Sequence, residues 1–222
     1  MIYRRVIFLC LALGFCSVYS VPQQNTTFTI MLNPAGTKQS TERLIDNTFE
    51  RSIAAQAAQT LKQKLVELFP HVSVILTRTP GQATASTHNA HFANSLNVNL
   101  FVSLHFYQET DTKPHVYLYT YSYNNALTLQ PSDFTFYRQD QSYIFNKRSS
   151  MQVADSIQAT WAQKPHAHQF TTHKVIGFPC APLIGVISPA IAIDMGIKKN
   201  TDWHLYIQPL IDAISAIIQA AE

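Results

Sequence analysis

The sequence predicts an α/β fold: one domain with a mostly parallel, twisted sheet and helices on both faces. Short apolar, β-branched runs alternate with longer stretches of helical periodicity, the pattern of successive βαβ units. The runs at 28–32, 100–106 and 190–195 are almost continuously apolar, as buried strands require. Asn33, His105 and Asp194 stand at the ends of those runs, where open parallel sheets place their ligand sites.

Taken in order, Phe28-Thr29-Ile30-Met31-Leu32 reads as a strand entering a loop at Asn33-Pro34. Asp46-Asn47-Thr48 offers a cap for a helix to about Phe69, with Phe49, Ile53, Ala57, Leu61, Leu65 and Leu68 at helical spacing and Pro70 ending it. Residues 72–78 form a second strand closed by Pro80-Gly81, and a shorter helix covers 84–96. Strands follow at 100–106 and 116–121. A partly exposed helix spans 150–161, with Met151, Ala154, Ile157 and Trp161 at helical spacing. Lys164-Pro165-His166-Ala167-His168 reads as a solvated loop. A buried strand at 190–195 precedes a closing amphipathic helix over 205–221, with Leu210, Ile214, Ile217 and Ile218 inward. The segment 119–145 is crowded with Tyr and Phe and lacks a period. It is either a hairpin or loop over a sheet edge, or a stacking surface for sugars or peptides.

The N-terminus stands apart from the fold. Arg4 and Arg5 precede an apolar run over 6–18 with Val18-Tyr19-Ser20 as a cleavage site, so residues 1–20 read as a signal peptide. An uncleaved membrane anchor is the alternative. Cleavage would remove Cys10 and Cys16 and leave Cys180 as the sole thiol, so no internal disulfide is expected. About 200 residues then remain to build a core, enough for one domain. The formal charge of +3 includes Arg4 and Arg5, leaving +1 beyond residue 20, too little to suggest a nucleic-acid partner.

Four segments carry a resemblance: Asn33-Pro34-Ala35-Gly36-Thr37, Asn47-Thr48-Phe49-Glu50-Arg51, Leu100-Phe101-Val102-Ser103-Leu104-His105, and Ala192-Ile193-Asp194-Met195-Gly196. Together they resemble the zinc-dependent N-acetylmuramoyl-L-alanine amidases (amidase type 3), which cut bacterial cell-wall peptidoglycan. Thr77-Arg78, Ala93-Asn94 and Ser149-Ser150 with Ala154 also match family positions, with less specificity. The resemblance makes 21–222 an amidase-like catalytic domain with an aromatic insertion at about 119–145. It implies peptidoglycan or muropeptides as ligand and a possible protein regulator, while the signal peptide at 1–20 implies export to the periplasm or the exterior.

Two histidines and a glutamate hold zinc in that family, and a glutamate after a late strand acts as base. A catalytic zinc of this kind needs three protein ligands, an open position for water, and a nearby proton acceptor. By the resemblance, Glu50 and His105 are the metal ligands and Asp194 takes the base position. Gly36 stands where the first histidine belongs, so the zinc cofactor has an incomplete ligand set. Aspartate at 194 also withdraws the carboxylate by one methylene, and misplacement of about 1 Å can cost a hundredfold in rate. His71, His88, His91, His115 and His173, with Asp46 and Asn33, are the candidates for a replacement ligand.

Plainer roles stand beside these. A glutamate in a first helical turn meets the positive end of the helix dipole, and a strand-end histidine can simply bond its neighbours. His88 and His91 share a helical face. Cys180 reads as a buried or loop thiol. Two functions follow from the resemblance: an amidase hydrolysing the N-acetylmuramoyl–L-alanine bond, or a non-catalytic relative that binds peptidoglycan or a partner through the same cleft.

Overall fold

The computed structural model describes residues 28–36, 42–78, 86–123 and 138–221. The elements are β1 (Thr29–Pro34), β2 (Leu44–Ile45), β3 (Thr48–Phe49), α1 (Glu50–Leu68), β4 (Ser73–Leu76), α2 (Ser86–Ser95), β5 (Leu100–Gln108) and β6 (His115–Tyr121). Then come α3 (Lys147–Trp161), α4 (His166–Gln169), β7 (Thr171–Thr172), β8 (Ile176–Phe178), β9 (Ala190–Ile197) and α5 (Ile207–Ala221). The main sheet runs β4-β1-β5-β9-β6, with β7 and β8 both pairing with β6. Every pairing in it is parallel except β6 with β9.

Alternation along the central strands sorts their side chains onto two faces, as the period of two demands. Ile30, Leu32, Val102, Leu104, Ile191 and Ile193 point to the larger cluster, covered by α1, α3 and α5. Trp161 Nε1 donates to the Pro209 carbonyl at 2.8 Å and ties α3 to α5. Met31, Phe101, Ala190 and Ala192 point to a smaller cluster completed by Ala90 and Ala93 of α2 and by Leu183 and Val186. Helices therefore lie on both faces, as the sequence leads one to expect. The odd-numbered polar residues Asn33, Ser103 and His105 share the α2 side with Asp194.

Three local expectations need correction. Asp46 and Asn47 do not cap α1: both have positive φ (45° and 60°) and form the turn between β2 and β3. Such two-residue hairpin turns favour the same Asp and Asn that favour caps. The cap position is Phe49, without a side-chain bond. His166 is not in a solvated loop. It opens the short helix α4, is buried, and its Nε2 lies 2.8 Å from Asp212 Oδ2 on α5. Finally, His105 and Asp194 are not the last residues of their strands, which run on as a pair to Gln108 and Ile197.

The aromatic segment divides. Tyr119 and Tyr121 belong to β6 and Gln139–Phe145 forms a 3-10 turn, whereas 124–137 lie outside the described residues. The proposed signal peptide also lies outside them. Among the described residues, no helix is long and apolar enough to cross a membrane.

Candidate functional site

β1 is the shortest of the three central strands, and the site is built on that difference. Its pairing with β5 ends at Pro34 opposite Leu104, so His105 is the first β5 residue without a β1 neighbour. The missing strand is replaced by other groups. The Ala35 N–H donates to the Leu104 carbonyl at 2.9 Å. The Phe106 N–H donates to Glu50 Oε1 at 2.9 Å, so the head of α1 stands in for the strand as acceptor.

A pocket of about 360 Å³ opens above this step, lined by Gly36, Arg43, His105 and Asp194 among others. Its floor is a hydrogen-bonded polar chain. Asn33 Oδ1 accepts from Thr77 Oγ1 (2.8 Å) and Asn89 Nδ2 (3.0 Å), while Asn33 Nδ2 donates to Ser103 Oγ (2.9 Å). Ser103 Oγ lies 2.8 Å from His105 Nε2. The other ring nitrogen, Nδ1, lies 3.4 Å from Glu50 Oε1. Tyr119, Phe178 and Pro182 supply an apolar wall.

His105 and Asp194 are direct register partners on β5 and β9. Glu50 is 1% exposed and sits behind His105 rather than lining the cavity. The structure thus brings the three predicted residues to one place but gives them different depths. Burial pushes the Glu50 carboxyl up, but His105, the Phe106 N–H and the Arg43 charge hold it below the usual carboxylate range. Burial and the Asp194 charge push the Cys180 thiol up to about 12, so it stays protonated at neutral pH and offers no thiolate.

Arg43, which no sequence motif singled out, lies at the centre. Its Nη1 donates to Asp194 Oδ1 at 2.7 Å and to the Phe106 carbonyl at 3.1 Å. Its Nε is 4.0 Å from Glu50 Oε2, and its guanidinium lies over the Tyr107 ring at 5.8 Å. Nothing local announces this residue; its contacts are with groups up to 151 positions away. Arg78 was legible only as a weak family match. Buried, it donates to the carbonyls of Pro34 (3.4 Å), Ala35 (2.6 Å) and Arg51 (3.2 Å) and clamps the loop after β1 to α1. Asn94 likewise pins the 185–187 loop through Gly185 O and Ile187 N–H.

The residues present do not fit a three-ligand catalytic zinc. Glu50 and His105 offer two adjacent donor atoms. Gly36 offers none, and its φ of +83° suits glycine. A Cβ there would lie 2.7 Å from Arg51 Cβ and 3.2 Å from Arg51 Cα. All nine histidines of the chain are among the described residues, and only His105 lines the pocket. Asp46 bonds to Asn200 instead, and Asn33 is fully engaged on the floor. Among the described residues, the single trio of metal-type ligand atoms within 4.8 Å is Glu109, Asp111 and His115. That group lies outside the pocket lining. Glu109 there organises a turn, accepting from the Thr110, Asp111 and His115 N–H groups and from Tyr107 Oη.

Comparison with known proteins agrees with this architecture. The sequence model of the N-acetylmuramoyl-L-alanine amidase family matches residues 30–210. No curated protein sequence matches the chain. Among solved structures, the chain is similar to the catalytic domain of CwlV, an N-acetylmuramoyl-L-alanine amidase from Bacillus (Paenibacillus) polymyxa var. colistinus. That likeness has a TM-score of 0.62 at 13% identity, covering 86% of this chain and 98% of that one. It is also similar to an N-acetylmuramoyl-L-alanine amidase from Clostridium difficile 630 (TM-score 0.60, 14% identity, 88% and 99% covered). A third likeness is to the CwlD amidase of Clostridioides difficile, solved in complex with the GerS lipoprotein (TM-score 0.55, 16% identity, 86% and 98% covered). At these identities the neighbours speak for the fold, and the family match, spanning most of the chain, for descent: the chain belongs to the N-acetylmuramoyl-L-alanine amidase family.

Proposed function

We propose that this is an exported, peptidoglycan-binding member of the amidase family that holds cell-wall fragments without zinc-dependent hydrolysis. The observation that carries the reading is Gly36. The position of the absent ligand has neither a donor atom nor room for a side chain, and no second histidine lines the pocket to replace it. A two-donor site binds zinc far more weakly than the three-ligand sites used in catalysis. Asp194 is moreover held by Arg43 at 2.7 Å, which ties down the carboxylate at the base position.

The pocket retains features suited to a muropeptide. Asn89, His105 and Arg43 present polar groups to amide and carboxylate functions, while Tyr119, Phe178 and Pro182 suit the methyl groups of the lactyl–alanyl region. On this reading residues 1–20 direct export to the periplasm or exterior, and 21–222 form the binding domain. The complex of the Clostridioides difficile neighbour with a lipoprotein makes a protein regulator a reasonable further partner.

One observation favours retained hydrolysis of the N-acetylmuramoyl–L-alanine bond: Glu50 Oε1 and His105 Nδ1 lie only 3.4 Å apart, a spacing two ligands of one ion could adopt. Purified chain lacking residues 1–20, mixed with dye-labelled sacculi, separates the readings. Co-sedimentation without dye release, with or without added zinc, supports the binding function. Zinc-dependent release that His105→Ala abolishes would establish the hydrolase instead.

A further inference from the structure

We infer that Arg43 is the resident cation of the pocket: its guanidinium bridges Asp194 and Glu50, supplies the positive charge a divalent ion would bring, and keeps such an ion out. The inference rests on the binding reading above and adds the reason why the pocket holds its shape without metal.

Two carboxylates belong to this site, Asp194 in the pocket lining and nearly buried, Glu50 behind His105 and almost wholly buried. Charges removed from water need a partner and hydrogen bonds. Arg43 provides both, with a 2.7 Å bond to Asp194 Oδ1 and an approach of 4.0 Å to Glu50 Oε2. Its position is set by the backbone rather than by chance contact of a long side chain. Arg43 and Glu50 bracket the β2–β3 hairpin: the Glu50 N–H donates to the Arg43 carbonyl at 2.8 Å, and the Arg43 N–H faces Glu50 Oε2 at 3.4 Å. The hairpin is anchored at its tip, where the Asp46 N–H donates to Gln108 Oε1 and Asn200 Nδ2 donates to Thr48 Oγ1. The far end of the side chain is fixed by the Phe106 carbonyl and the Tyr107 face.

This geometry opposes a metal ion. A cation seated on Glu50 and His105 would share the Glu50 carboxylate with a guanidinium that never deprotonates, and the two like charges repel, though solvent at the half-exposed Arg43 side chain moderates the effect. The lack of a donor atom at Gly36 and the charge of Arg43 act in the same direction, against a bound metal.

The test titrates Co²⁺ alone into the native chain and into Arg43→Gln, Arg43→Met and Arg43→Lys, reading the visible absorption of the bound ion. Removing the charge should tighten Co²⁺ binding about tenfold or more, and adding His105→Ala should abolish the gain. Arg43→Lys, which keeps the charge, should stay near the native affinity. Equal affinities in the native chain and Arg43→Gln, or a gain in Arg43→Lys as large as in Arg43→Gln, overturn the inference. If neither uncharged variant folds, a folded Arg43→Lys supports the charge role and an unfolded one refutes it. Dye release bears only on the binding reading, and the affinity ratio only on Arg43, so the two can fail separately.

Discussion

Glu50 and Phe106 meet where the sheet narrows, the Phe106 N–H donating to Glu50 Oε1 at 2.9 Å one residue past the last β1–β5 pair. The glutamate therefore completes a strand edge in addition to any part in binding. Glu50→Ala should lower stability by about 2–4 kcal/mol, because a buried N–H loses its acceptor and Arg43 loses a counter-charge. Glu50→Gln, which keeps an acceptor oxygen, should cost less. Urea unfolding in the presence of a chelator measures both, and a residue kept only as a metal ligand would leave the metal-free chain unchanged.

Gly36 cannot simply be reverted. A side chain there meets Arg51 Cβ at 2.7 Å while the backbone sits at φ +83°. Gly36→Ala and Gly36→His should each destabilise the chain by about 1–3 kcal/mol, and Gly36→His alone should not produce dye release from sacculi. Thermal unfolding of both variants checks the first point and the sacculus assay the second.

Asn33 is the keystone of the pocket floor, with three side-chain partners in Thr77, Asn89 and Ser103. Asn33→Ala leaves buried polar groups unpaired and should cost about 2–4 kcal/mol. It should also free the Ser103 hydroxyl that positions His105 Nε2, weakening sacculus binding in folded protein. Denaturation and co-sedimentation of the same preparation report the two effects together.

Acid stability should depend on Glu109. Burial pushes its carboxyl up, yet bonds from the Asp111 and His115 N–H groups, Tyr107 and the Thr110 N–H bring the net value below the usual range. A depressed folded-state pKa means the stabilisation is present above the ordinary glutamate value, about 4.3, and is lost as pH falls through the folded-state value. The native chain should therefore lose stability more steeply than Glu109→Gln on acidification below about pH 4. Denaturant midpoints compared across that range decide the point.

The central strands were legible because burial on both faces leaves a continuous apolar record, and the β5 run ending in His105 carried the family signature as well. The scaffold of the site was legible only in part. Thr77-Arg78 and Asn94 stood out as family positions, but their contacts with Asn33, Ala35 and Gly185 are made through space. Arg43 left no local trace, since its partner Asp194 lies on β9, near the other end of the chain. Asp46-Asn47 misled for a different reason: the residues that cap helices also tolerate positive φ, and here the hairpin prevailed. His166 looked solvated because its partner Asp212 belongs to the last helix.

The most direct test is the zinc content of the native chain after equilibrium dialysis against zinc, with His105→Ala dialysed beside it. The two should carry the same amount of metal, well below one equivalent per chain. One equivalent in the native chain that disappears in His105→Ala would contradict the account.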